Sequence, residues 1–284
     1  MAGIDWRSVY TLTTGADPEV EFVEPYVASL LFFAINMTTG LVLRTLTSIF
    51  VPQPLRGLVL DFLATMEACA YFFENNFVMK YYGSFWFALA IVVQFFVCAR
   101  TFGGASENPV KALQSLVAGD ATLLAAVAQI AVQTLAGLAS YRFARLVWSL
   151  DLISDHHERY YETMCSSDLQ VTFLMGFLIE LSACLTDTWL GMQTIATIPI
   201  LDELIKYVNA ALMVVLGLAT TGMYFNPAMA SGHTLGCQGT AMSEHFFVYW
   251  AGPFVGCFVA LRLDKLLHVD VTTQKTVDAD KKTN

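Results

Sequence analysis

Asn108-Pro109-Val110 and Asn226-Pro227-Ala228 are the two stretches whose reading decides the fold, and each closes a long apolar run. Asn is a strong helix N-cap and Pro is favoured at the first helical position. Each Asn-Pro therefore starts a helix in or beside a membrane segment. Roughly 9 residues follow before polar sequence returns, or ~14 Å of helix, half a bilayer core. Two half-helices, one in each half of the chain, predict a pore built from inverted repeats.

The composition agrees. Of 284 residues, 56% are hydrophobic and 14% charged, against about 25% charged in a soluble domain. Apolar windows of near-spanning length recur at 26–46, 58–77, 83–102, 121–138, 169–190, 204–222 and 246–267. This is the pattern of a polytopic, all-α membrane protein. The window 58–77 carries Asp61, Glu67 and Glu74, so it cannot face lipid all round. Net charge is −9 and the chain has no basic stripe, which excludes a nucleic-acid partner. No basic region precedes the first apolar run, so no cleaved leader is read. The sequon Asn36-Met37-Thr38 lies inside the first window and is read as unglycosylated.

An internal duplication organises the chain. Asp61 precedes Asn108 by 47 residues (108 − 61), and Glu180 precedes Asn226 by 46 (226 − 180). Residues 58–147 and 169–268 share one order: acidic helix, second helix, Asn-Pro half-helix, third helix. Three spans per half invert the second half relative to the first. The expected domains are a polar N-terminal segment (1–25), an extra hydrophobic helix (26–50), the first repeat (58–147), an outer connecting loop (148–168), the second repeat (169–268) and a cytosolic tail (269–284). Lys and Arg cluster on the side of that tail, which the positive-inside rule makes cytosolic. Arg142 and Arg145 sit against this bias.

These motifs resemble the aquaporins over residues 58–268. The matching residues are Asp61-Phe62-Leu63-Ala64-Thr65, Gly103-Gly104-Ala105-Ser106-Glu107-Asn108-Pro109, Ala128-Gln129, Thr221-Gly222, Asn226-Pro227-Ala228 and Tyr249-Trp250-Ala251-Gly252-Pro253. The chain looks most like the largely intracellular superaquaporin branch. That branch has a degenerate first box, here ending in Val110, and a Cys nine residues after the second box, here Cys237. The resemblance implies six core transmembrane helices, two half-helices, a homotetramer in the lipid bilayer, and passage of water, glycerol and hydrogen peroxide. It also implies that Asp61 and Glu180 are structural acceptors for the box-bearing loops. At the four positions that form the family's selectivity filter this chain has Ala88, Val214, Met223 and Met229. Met229 stands where water-selective members carry Arg. The constriction is therefore expected to be apolar, with no fixed cation.

The remaining chemistry-bearing residues suggest no enzyme and no cofactor. Asp155, His156, His157 and Glu158 lack a helix-spaced ligand set and read as a solvated polar loop, not a metal site. Glu107, beside Asn108, either favours the half-helix dipole or weakens cation rejection. Cys165 and Cys237 fall in the two large connections on one outer side. A disulfide and a pair of free thiols both remain open for them. Lys281 and Lys282 stand fourth and third from the end, as in a dilysine retrieval signal read by coat machinery. They point to the endoplasmic reticulum membrane. The function expected is a passive channel for small neutral solutes. The alternatives are an ion-coupled secondary transporter, which also uses broken helices, and a non-conducting membrane scaffold.

Overall fold

The computed structural model describes Val9, Thr11, Thr13 and residues 23–272, among which no strand occurs. The tail lysines Lys281 and Lys282 lie outside the described residues. The long helices are α1 (Pro25–Phe50), α2 (Gln53–Thr101), α4 (Leu123–Trp148), α6 (Phe173–Met192) and α7 (Pro199–Gly217). Two half-helices follow the Asn-Pro boxes: α3 (Pro109–Ala118) and α8 (Pro227–Thr234). The short α5 (Ser154–Tyr161) lies in the central connection. The last span runs from α9 (Met242–Phe246) through a π-helical turn, Phe247–Ala251, into α10 (Gly252–Asp264).

The 49-residue α2 would be ~74 Å long if straight, more than twice a bilayer core. Gly83 breaks it, with φ 80° and ψ −177°, a conformation open to glycine. The two arms supply the first two helices of the first repeat. Among the described residues, five helical segments are long and apolar enough to cross a membrane, α2 among them. Residues 204–222 place the next helix late: α7 starts at Pro199, and Asp202, Glu203 and Lys206 occupy its first turns. The window at 121–138 also ends early, because α4 continues through Arg142 and Arg145 to Trp148. Arg145 is accommodated there by donating to the Tyr160 carbonyl at 2.5 Å and lying over the Tyr160 ring.

The long helices pack within each repeat, and the half-helices reach across. α2 lies on α4, and α6 lies on α10. Half-helix α3 packs on α4 and on α10 of the other repeat, while α8 packs mainly on α4. Close approach explains two glycines. A Cβ on Gly137 of α4 would overlap the Ala228 backbone, and one on Gly256 of α10 would overlap the Leu181 carbonyl.

Helix α1 is tied to α2 by polar groups within the apolar zone. Arg44 donates to Glu67 at 2.5 Å, Asn36 to the Glu67 carbonyl at 2.9 Å, and Ser29 to Glu74 at 2.8 Å. Glu74 also accepts from Trp148 Nε1 at 2.8 Å and meets His156 Nε2 at 3.1 Å. Glu67 and Glu74, seven residues apart, thus share the helix face turned toward α1. The solvated reading of residues 155–158 needs correction. His156 is fully buried against Glu74, and Asp155 is 7% exposed and bound to Lys80 at 2.6 Å. Their partners sit on α2, more than seventy residues earlier, which local polarity does not reveal. His157 and Glu158 are exposed.

Candidate pore

Both Asn residues cap their half-helices. Asn108 and Asn226 share an extended backbone with φ −135°. The Asn108 side-chain oxygen accepts from Val110 N at 3.0 Å. The Asn226 oxygen accepts from Ala228 N at 3.0 Å and Met229 N at 3.2 Å. The amide nitrogens cross over. Asn108 Nδ2 donates to the Phe225 carbonyl at 3.3 Å, and Asn226 Nδ2 donates to the Glu107 carbonyl at 3.0 Å. Each amide carries two N–H groups. One is spent on the opposite box, which leaves the second to a passing oxygen.

Two acids hold the loops that bear the boxes. Asp61 accepts from Ser106 N at 2.7 Å and from Gln129 Nε2 at 2.9 Å. Gln133 adds a bond to the Ser106 carbonyl at 2.9 Å. Glu180, with no exposed surface, accepts from Thr221 Oγ1 at 2.6 Å, Tyr224 N at 3.1 Å and Phe225 N at 2.6 Å. This second loop is strained. Gly222, Met223 and Phe225 have φ of 79°, 50° and 35°. A left-handed non-glycine residue costs ~1–3 kcal/mol and persists when its surroundings over-determine it.

A cavity of about 260 Å³ adjoins the boxes. Asn108 and Asn226 line it, with Val214, Met223 and Met229 from the filter positions. Ala88, the fourth expected filter residue, is outside that lining and packs against the main apolar cluster. The wall also holds Tyr71, Gln94, Phe95, Tyr207 and the charged Glu107, Lys111, Asp187 and Lys206. The sequence reading missed most of these. Two had a signal: Lys111 is four residues after Glu107, a helix ion-pair spacing, and Asp187 is seven after Glu180, on the same helix face. Glu107 and Lys111 pair at 2.7 Å.

On the outer side, a disulfide joins Cys165 to Cys237. Gln238 N donates to the Cys165 carbonyl at 2.9 Å, and Ser167 N to the Gln238 carbonyl at 2.7 Å. The connection is thereby stitched to the end of α8. Tyr224 donates its hydroxyl to Asp168. Burial holds the Asp168 carboxyl above the usual range despite that bond. Asp155 shifts the other way. Burial opposes its charge, but hydrogen bonds from Lys80 and Tyr81 and the Lys80 ammonium outweigh it, so its carboxyl lies below the usual range. On α8, His233 stacks on Phe73 with ring centroids 3.7 Å apart and donates Nδ1–H to the Met229 carbonyl at 2.9 Å.

An inverted pair of half-helices, capped across a shared cavity and enclosed by apolar spans, defines a membrane channel. The family model described as major intrinsic protein matches residues 19–262, and the chain belongs to that family. The match begins ahead of α1, further toward the N-terminus than the motifs alone reach. The relatives are of the superaquaporin type. Aquaporin-11 of Milnesium tardigradum is 25% identical, over 86% of this chain and 88% of its own length. Aquaporin-12 of Mus musculus is 32% identical over 61% and 60%. Aquaporin-11 of Homo sapiens is 26% identical over 72% and 75%.

Proposed function

We propose that this channel passes water and small neutral solutes, glycerol and hydrogen peroxide among them, across an intracellular membrane. The crossed amides of Asn108 and Asn226 at the wall of one cavity carry this reading. They offer fixed donors to a solute oxygen. The two half-helix N-termini add ~+0.5 charge each, a field that repels cations. The apolar side chains of Val214, Met223 and Met229 suit a solute with methylene groups better than an Arg-lined filter does. Passive flux needs no covalent step. The family resemblance adds a homotetramer, and the tail pair Lys281 and Lys282 adds retrieval to the endoplasmic reticulum, where the Cys165–Cys237 bond is favoured by an oxidising lumen.

Stopped-flow light scattering on proteoliposomes, with water, glycerol and peroxide in turn, tests the reading. Non-saturating flux above that of empty vesicles is expected. Saturable, ion-coupled uptake points to a transporter, and no flux points to a scaffold. Replacing Lys281 and Lys282 by Ala tests the address: unchanged retention rejects it.

A further inference from the structure

The filter position next to the second box holds Met229, yet the cavity is not free of charge. Glu107, at the N-terminal edge of α3, and Asp187, on α6, both line it. Lys111 lines the same wall, with its side chain 56% exposed and its ammonium 2.7 Å from Glu107. Asp187 lies on the same cavity wall as Lys111. Lys206, the other cation in the lining, is bound to Asp202 at 2.7 Å and to the Gln193 carbonyl at 2.6 Å.

We propose that Lys111 is the specificity residue that closes this pore to cations, by neutralising the two carboxylates that face the conduction path. The inference rests on the channel reading given above. Charge balance carries it. Two half-helix N-termini contribute ~+0.5 each. Together with Lys111 they offset Glu107 and Asp187. Without Lys111 the path holds roughly one uncompensated negative charge, in a site where screening is weaker than in bulk water. Rings of carboxylates are how cation pores attract their ions. Lys111 thus takes up, on the first half-helix, the charge role left vacant by Met229 on the second.

The test uses the full chain in proteoliposomes, at matched protein content and with monodisperse variants. Proton and potassium leak are read beside water and glycerol flux for wild type, Lys111→Gln, Lys111→Arg and Lys111→Gln with Glu107→Gln. Leak is expected to rise roughly tenfold or more in Lys111→Gln. It is expected to stay low in Lys111→Arg and to fall back in the double variant. Wild-type leak in Lys111→Gln, or a leak that Glu107→Gln leaves unchanged, overturns the proposal. A wild type that conducts neutral solute while Lys111→Gln stays tight removes this inference alone. Absence of both flux and leak in every protein removes the channel reading with it.

Discussion

The two Asn-Pro boxes are equivalent in the duplication and differ in how they are held. The first loop is fixed through one backbone N–H, that of Ser106, with side-chain amides around it. The second is gripped by a fully buried carboxylate at two consecutive backbone N–H groups and a hydroxyl, over a strained turn. Half-helix α3 becomes exposed toward its end, where Val117 is 44% accessible, while α8 buries Ala228, Ala230, Ser231 and Thr234. A disulfide then anchors the region just past α8. The first box is therefore free to carry charged, water-facing groups, and the second is the rigid side of the constriction.

The sharpest way to break this contrast is to remove the acids. Glu180→Leu leaves three donors without their acceptor, at ~1–3 kcal/mol per buried group. A loss of roughly 3–9 kcal/mol is expected, with Asp61→Leu, which frees two donors, costing about two thirds as much. Thermal unfolding in detergent measures both, and equal losses would erase the asymmetry. Next, Cys165→Ser with Cys237→Ser opens a link spanning 72 residues. Such a loop is worth ~2–4 kcal/mol, and hydrogen exchange should rise around α8 and leave α3 unchanged. A smaller effect separates the caps. Asn226→Ala, which frees two N–H groups, should cost ~1–2 kcal/mol, and Asn108→Ala, which frees one, about 1. Reversed ranking in the same melts would mean that the crossed amides outweigh the caps. Smallest is the response to acid. Asp155, with its lowered pKa, favours folding above its unfolded pKa, and that contribution is lost as pH falls through its folded pKa. Asp168, with its raised pKa, favours folding below its unfolded pKa, and loses that contribution as pH rises through its folded pKa. Chemical-shift titration of the two carboxyls should show midpoints on opposite sides of the ordinary value.

Much of this was legible in local sequence. The Asn-Pro pairs specify both caps, and the near-equal spacing from each acid to its box marks the duplication. Val214, Met223 and Met229 could be placed by counting from Asn226. The rest depends on contacts between distant segments. Glu67 and Glu74 look like misplaced charges until α1, α4 and α5 bring Arg44, Ser29, Trp148 and His156 to them. Ala88 is counted across the turn from α2 to α3, where no fixed helical period applies, and it lies outside the cavity lining. In sequence Lys111 is one of the basic residues on the tail side, and its proposed role appears once Asp187 is set on the same cavity wall.

The crossed amides also set a schedule for assembly. Asn226 is 119 residues downstream of the Glu107 carbonyl it bonds. At a synthesis rate of ~5–20 residues per second, the first box is made about 6–24 s before its counterpart exists. During that interval α3 lacks the contacts of the second box, and Asp61, 45 residues before Ser106, holds the first loop together with Gln133 of α4. The N-terminal repeat thus waits in the bilayer as an unfinished half, and translation of the second box is the event that locks both.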